Sequence, residues 1–301
     1  MTAWWWLVLA VLLGVYAIAV LEEWTMTGRI APGAPLRGGL ALLGRESLVP
    51  RQPDRVLFEL APLVLLIAAV LSLAVLPLAP GLLFADLATG ALFVNAALAY
   101  VMVALIMAGW APNTPFALVA GWRFLGQLVA YSMLIVMPIT AVGMRAQSLA
   151  TTAIVDSQAP LWNVAAQPLG FGLFSLAAMA VAFVPPFDLP IAPAELAGGV
   201  FGEYTGARLA IVRLGRLVLV FSLATAVTVF YLGGWLGPLL PPWAWTAIKT
   251  LAVAAAMLSA GRYLPRVTID LVLAWAWKLG IPLALVNILW VGITLLLVKS
   301  G

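Results

Sequence analysis

The chain has 301 residues, of which 65% are hydrophobic and only 9% are charged, and its formal net charge is +4. Soluble domains are typically about 45–50% apolar and about 25% charged, so the composition excludes a soluble globular protein and favours a lipid bilayer as the solvent. The chain has no Cys and no His, which excludes disulfides, cysteine-ligated metal centres, His-ligated haem and the usual neutral-pH proton carrier.

Eight apolar runs are long enough to cross about 30 Å of hydrocarbon as helices. They lie at 3–21, 56–78, 88–109, 117–143, 169–186, 207–232, 243–262 and 279–298. The first run lacks the basic start and cleavage site of a signal peptide, so we expect it to be a retained span. None of the runs shows the strict alternation of a membrane β-barrel strand. The sequence therefore predicts an all-α, polytopic membrane helix bundle of about eight spans, forming a single domain over 1–301.

The positive charges fall on one side of this topology. Twelve of the fifteen Lys and Arg share that side: Arg29, Arg37, Arg45, Arg51, Arg55, Arg123, Arg208, Arg213, Arg216, Arg262, Arg266 and Lys278. Arg145 and Lys299 lie on the other side, and Lys249 falls inside the seventh run. The positive-inside rule then predicts cytoplasmic loops for the first group and non-cytoplasmic positions for both termini. These cations stand at the ends of apolar runs and form no dense patch, so no nucleic-acid partner is expected.

The loop after the fifth run, "VPPFDLPIAPAELAGGVFGEYTG" (184–206), is unusually acidic for this chain. It carries Asp188, Glu195 and Glu203 together with four prolines, which prevent a regular helix. Ionisable groups at membrane depth are costly and are usually functional. Two other interpretations stay open: the acids are solvated loop residues, or Glu203 interacts with the helix dipole of the sixth span.

Five segments, in order, resemble the NADH dehydrogenase subunit 1 family, the quinone-site membrane subunit of respiratory complex I with relatives in energy-converting hydrogenases. They are "GWAPNTPFALVAGWRFLGQLVAYS" (109–132), "PFDLP" with "AEL" (186–196), "EYTGAR" (203–208), "YLGGW" (231–235) and "GRYLPRVTIDLVLAWAWKLGIPLALVN" (261–287). The resemblance implies a prokaryotic inner-membrane subunit with quinone as a possible substrate and no cofactor or metal of its own. It also implies partners: hydrophilic redox subunits that hold iron–sulfur clusters, and antiporter-like membrane subunits.

The resemblance also implies roles for individual residues, none of them catalytic in the isolated chain. The proton-relay candidates are Asp188, Glu195, Glu203, Tyr204 and Tyr131. The candidates for the quinone site or the arm junction are Arg29, Arg37, Arg45, Glu46, Arg123, Gln127, Arg208, Arg262, Arg266, Asp270 and Lys278. Within these sets, Arg123, Gln127 and Tyr131 share one helix face at i, i+4 and i+8, which indicates contact with protein or water. Asp270, among cations, predicts an ion-pair cluster.

Several acids typical of the family are missing. Ile191, Pro193, Val181, Val184 and Ser132 stand where the family often has ionisable groups. We therefore expect either water wires or a subunit that transmits conformational change without carrying protons. The alternatives are the membrane subunit of an energy-converting complex of hydrogenase or ferredoxin type, favoured by "LLGRES" (42–47), a structural anchor, and a stand-alone secondary transporter. The last is disfavoured because only one Pro-broken span is present.

Overall fold

The computed structural model describes residues 3–191 and 193–300, and in these residues the regular structure is helical. The helices are α1 (Ala3–Thr27), α2 (Gly33–Leu43), α3 (Arg55–Ala74), α4 (Gly90–Trp110), α5 (Pro115–Ala146), α6 (Thr151–Asp156), α7 (Asn163–Ala166), α8 (Pro168–Val181), α9 (Pro193–Leu196), α10 (Gly206–Tyr231), α11 (Pro242–Tyr263), α12 (Ile269–Trp275) and α13 (Ile281–Ser300). A 3₁₀ turn covers Gly199–Phe201, and a π-helical turn at Ala276–Gly280 joins α12 to α13.

Within the described residues, seven helical segments are long and apolar enough to span a membrane, and α12–α13 count as one of them. The fifth predicted span is shorter than expected, because α8 has 14 residues and reaches only about 21 Å. It ends at Val181, before Pro185 and Pro186, where the residue ahead of a proline avoids the helical conformation. The helix-bundle prediction is confirmed for the described residues: seven helical segments are long enough to span a membrane, and the shorter α8 occupies the place of the fifth predicted span.

The last span begins earlier than predicted. The sequence places its start at 279, whereas the helix begins at Ile269, so Asp270 and Lys278 stand on a helix and not in a loop. Asp270 lies in the first turn, where a negative charge favours the positive end of the helix dipole. The π-helical turn carries Lys278, and turns of this kind are frequent at functional sites.

The core is built around α10, whose residues from Val218 to Tyr231 are all buried. It packs along α3, which in turn packs along α4, while α1 lies outside against α10 and α11. These contacts give the bundle two distinct ends. The arginine-rich end consists of the loops 28–54, 111–114, 182–205 and 264–268, and the opposite end consists of the loops 75–89, 147–167 and 232–241.

Backbone hydrogen bonds tie the loops of the arginine-rich end to one another. The Asp54 N–H donates to the Ala111 carbonyl at 2.9 Å, and the Val267 N–H donates to the Pro186 carbonyl at 3.4 Å. The Leu48 N–H donates to Thr205 Oγ1 at 2.8 Å. Four separate parts of the sequence are thereby held together at one end of the bundle.

Candidate functional site

The predicted acidic loop lies at the arginine-rich end and folds back on itself. Short turns dominate it, and the Val200 N–H reaches the Pro190 carbonyl at 3.1 Å. This return needs a glycine at position 199, which has a φ of +57° and where a Cβ would lie 2.0 Å from the Pro190 oxygen. Gly206 has a similar role, since its φ is +59° and a Cβ there would lie 2.5 Å from Ser47 Oγ. The loop is therefore a packed structure with a defined shape.

Two ion pairs fasten this loop to its neighbours. Asp188, only 7% exposed, lies 3.2 Å from the Arg266 guanidinium of the loop 264–268. Glu195 lies 2.5 Å from the guanidinium of Arg123 on α5. Two of the predicted relay acids thus contact two of the predicted junction arginines. Each pair joins an acid of the loop to an arginine on a different element, so these two contacts are placed to hold the loop.

A second set of ion pairs, missed by the sequence reasoning, belongs to α10. Arg208 makes a two-pronged contact with Glu59 of α3 at 2.9 and 2.5 Å. Arg216 contacts Glu22 of α1 at 2.5 Å and lies over the Phe183 ring at 5.8 Å. A signal was available, because an arginine well inside an apolar span is expensive unless a neighbouring helix supplies an acid. Glu22 and Glu59 stand at the matching ends of the first and second spans.

The remaining acids of the candidate set have no such partner. Among the residues that the structure describes, no Lys or Arg nitrogen lies within 4.0 Å of Glu203, Glu46 or Asp270. The expected ion-pair cluster around Asp270 was therefore wrong: Arg266 turns to Asp188 instead. Arg262 donates to the carbonyls of Thr25 and Trp24 at 2.6 and 2.9 Å, which caps the end of α1.

The polar face of α5 points into protein, as its spacing predicts. Gln127 is fully buried, and its Nε2 donates to the carbonyls of Ala180 and Phe187 at 2.8 and 3.1 Å. Its Oε1 and the Tyr131 hydroxyl are buried without a hydrogen-bond partner. Gln127 therefore fixes the turn that leads into the PFDL segment, and it leaves one acceptor free at the same face.

Five rings pack between the loop and the helices α3 and α5. This aromatic layer consists of Phe58, Phe124, Phe183, Phe201 and Tyr204. Tyr204 stacks on Phe58 with the ring centres 4.3 Å apart, and its hydroxyl donates to the Phe58 carbonyl at 3.3 Å. Burial raises the pKa of the Tyr204 phenol above its usual value. Tyr131 adjoins the layer, with its ring centre 6.2 Å from that of Phe124.

Other candidate residues lie on the surface of the arginine-rich end. Arg29, Arg37, Arg45 and Glu46 are exposed there, whereas Lys278 is exposed on the π-helical turn between α12 and α13. Among the described residues, the hydrogen bond of the Arg37 side chain is a weak one to its own helix, from Nε to the Gly33 carbonyl at 3.3 Å. The junction set therefore divides into side chains bound inside the bundle and side chains presented outward.

Comparison with known proteins identifies the family and the fold. A family model described as NADH dehydrogenase matches residues 6–292. An NADH-quinone oxidoreductase subunit of Syntrophotalea carbinolica is 36% identical over 304 residues, which cover 94% of this chain and 92% of that protein. In fold, the chain is similar to a chain of the membrane-bound sulfane sulfur reductase, an archaeal respiratory membrane complex, with a TM-score of 0.84, 22% identity, and coverage of 96% and 98%. The chain belongs to the NADH dehydrogenase subunit 1 family, and it is an integral inner-membrane protein.

Proposed function

We propose that this chain forms the membrane-side floor of the electron-acceptor site in a complex I-like NADH:quinone oxidoreductase, and that it joins the redox arm to the ion-pumping membrane arm. The observation that carries the proposal is the loop 182–205, clamped by Asp188–Arg266 and Glu195–Arg123. A floor must keep its shape while a mobile substrate enters and leaves. Ion pairs to two separate elements, together with the Gln127 bonds, supply that rigidity.

The same geometry supports a scaffold without its own proton path. Four of the acids at this end are held by arginines, namely Glu22, Glu59, Asp188 and Glu195. Proton transfer requires groups within about 2.6–3.2 Å of one another, or one bridging water. Tyr204, which follows Glu203 in the sequence, has its hydroxyl engaged with a backbone carbonyl inside the aromatic layer. We therefore infer that this subunit passes conformational change to its partners and leaves proton transfer to them.

Quinone is the acceptor that the family relationship favours, and the hydrophilic partners would carry the iron–sulfur clusters. A second acceptor class, in an energy-converting complex, is favoured by the short connection between the first two long spans. That connection contains only the 11-residue α2, which ends within the "LLGRES" segment. Electron transfer by the purified complex with and without a quinone analogue separates the two. Full activity without quinone would move the assignment to the second class.

Purification of the tagged chain from its native membranes tests the assembly role. We expect iron–sulfur subunits and further membrane subunits to co-purify in mild detergent. The double substitution D188N/E195Q should weaken retention of the hydrophilic subunits while the membrane partners stay attached, because only the loop is released. The matched control is D86N, which changes an acid at the opposite end. A wild-type chain that stays alone in mild detergent would overturn the proposal.

A further inference from the structure

The helix α2 links the first two long spans at the arginine-rich end. It packs against α1 and α10, with Leu42 as its buried residue. Because α1 ends at Thr27 and α3 begins at Arg55, both ends of α2 are joined by short connections to helices that cross the bilayer. The helix is therefore held at the level where those spans leave the membrane.

One face of α2 is apolar and exposed. Leu36, Leu40 and Leu43 recur at i, i+4 and i+7, and they are 58%, 68% and 60% exposed. Ile30, just before the helix, is 76% exposed. This stripe points away from the bundle, since Leu42 projects from another side. A contiguous exposed leucine surface of this kind typically contacts lipid tails or another protein.

Arginines flank the stripe without acidic partners. In the described part of the chain, no carboxylate lies within 4.0 Å of Arg29, Arg37, Arg45 or Arg213. Arg213 is exposed on α10, about 10 Å beyond the start of that helix. An exposed guanidinium at this depth faces hydrocarbon unless its long stem brings the charge to a phosphate. The helix α10 packs against α2, so both groups of arginines belong to one region.

We propose that α2 and the adjoining face of α10 bind anionic phospholipids of the cytoplasmic leaflet, with the leucine stripe among the acyl chains and Arg37 and Arg213 at the phosphates. A surface helix with an apolar face and unpaired cations fits this ligand. Three observations select lipid over a protein partner: the short connections to two spans, the stripe on the side away from the bundle, and the lateral position of Arg213. The assignment does not depend on the acceptor or on the partner subunits.

The test uses the full-length chain, purified with whatever subunits accompany it, and phosphatidylglycerol and phosphatidylcholine as probes. Native mass spectrometry counts the lipid molecules that stay bound, and thermal melting measures how far each added lipid raises the melting temperature. We expect wild type to bind phosphatidylglycerol in preference to phosphatidylcholine. R37Q/R213Q should lower the apparent affinity for phosphatidylglycerol roughly twenty-five-fold, since each surface arginine contributes about fivefold. L36S/L40S should weaken the binding of both lipids.

The control is K278Q, which removes an exposed cation from the span formed by α12 and α13. An equal loss of phosphatidylglycerol binding in K278Q would show a bulk charge effect and overturn the proposal. Equal binding of the two lipids by wild type would also overturn it, and this result does not depend on whether any variant folds. Loss of a co-purifying soluble subunit in R37Q/R213Q, with lipid binding unchanged, would reassign the surface to a protein.

Discussion

The two ends of the bundle are held together by different chemistry. At the arginine-rich end, four carboxylate–guanidinium pairs join the loops and helices, and Glu195 in one of them has a side chain that is 63% exposed. At the opposite end, buried amides and backbone carbonyls do this work. Lys249 donates to three carbonyls, those of Leu232, Gly234 and Leu236, at 2.7, 3.0 and 2.6 Å.

The opposite end also contains a buried network of side-chain amides. Gln158, fully buried, donates to the carbonyls of Ile154 and Val229 and accepts from the backbone N–H groups of Asn163 and Gly233. Asn163 in turn donates to the Phe230 carbonyl and accepts from Arg145. Buried networks of this kind are rigid.

The difference indicates where the protein exchanges contacts. The exposed Glu195–Arg123 pair fixes the loop locally but contributes little to the free energy of unfolding, whereas buried carbonyls that lose their donor destabilise the whole fold. In the proposed role, the arginine-rich end docks the redox arm and the opposite end supplies stability. Substitutions at the two ends should therefore separate stability from assembly.

The largest loss of stability is expected for K249M. The change leaves three carbonyls without their donor and removes the ammonium from the face of Trp162, 4.1 Å away. Each buried unsatisfied group costs about 1–3 kcal/mol, so the purified protein should melt several degrees lower. Thermal melting in detergent measures this, with K278M as the control for loss of a single exposed lysine. An unchanged melting temperature of K249M would contradict the conclusion that buried hydrogen bonds stabilise the opposite end.

A smaller but clear loss is expected for Q158L. This substitution keeps the volume close to that of glutamine while removing four hydrogen bonds, and it leaves the N–H groups of Asn163 and Gly233 unpaired. We expect destabilisation of about 2–4 kcal/mol. Denaturant-induced unfolding in detergent checks it against Q147L, which changes an exposed glutamine. A loss no greater than that of Q147L would show that the network is dispensable.

Substituting an exposed ion pair at the arginine-rich end should have the opposite effect, with little change in stability and a clear change in assembly. E195Q is expected to change stability by less than about 1 kcal/mol, because the pair is solvent-exposed. It should nevertheless reduce the amount of hydrophilic subunit retained on purification. Quantitative immunoblotting of the eluted complex, together with melting of the same sample, gives both values. A large drop in the melting temperature of E195Q, with the hydrophilic subunits fully retained, would show that the arginine-rich end serves stability and not assembly.

The smallest effect is expected for Y204F, and only at alkaline pH. Burial raises the pKa of Tyr204 in the folded protein above its value in the unfolded chain, which is about 10. The neutral phenol therefore stabilises the fold in full below pH ~10, and this contribution is lost as the pH rises towards the pKa of the folded protein. Y204F keeps the stacking on Phe58 and should flatten this alkaline loss. At neutral pH, turnover should match wild type. Melting as a function of pH measures the effect, and a neutral-pH loss of turnover would restore Tyr204 as a relay group.

Much of this architecture was predictable because hydrophobic length and charge placement act locally. The runs, the irregular acidic loop and the polar face of α5 all followed from such patterns. The pairing of Glu22 with Arg216 did not, because it depends on which helices become neighbours, and 194 positions separate the two residues. The early start of α12 was missed for a different reason: Asp270 and Lys278 interrupt the apolar run although they stand on the same span, so hydrophobic length alone placed the start too late.

Glu203 offers the most direct test of the central claim, since it is the acid of the loop 182–205 that has no cationic partner among the described residues. The measurement is ion translocation by the assembled complex in liposomes, per electron transferred, for E203Q and wild type. The scaffold account predicts the same ratio for both proteins, because the hydroxyl of the next residue, Tyr204, is bound to the Phe58 carbonyl within the aromatic layer. Loss of translocation with electron transfer retained would contradict it and show that a proton path runs through this chain.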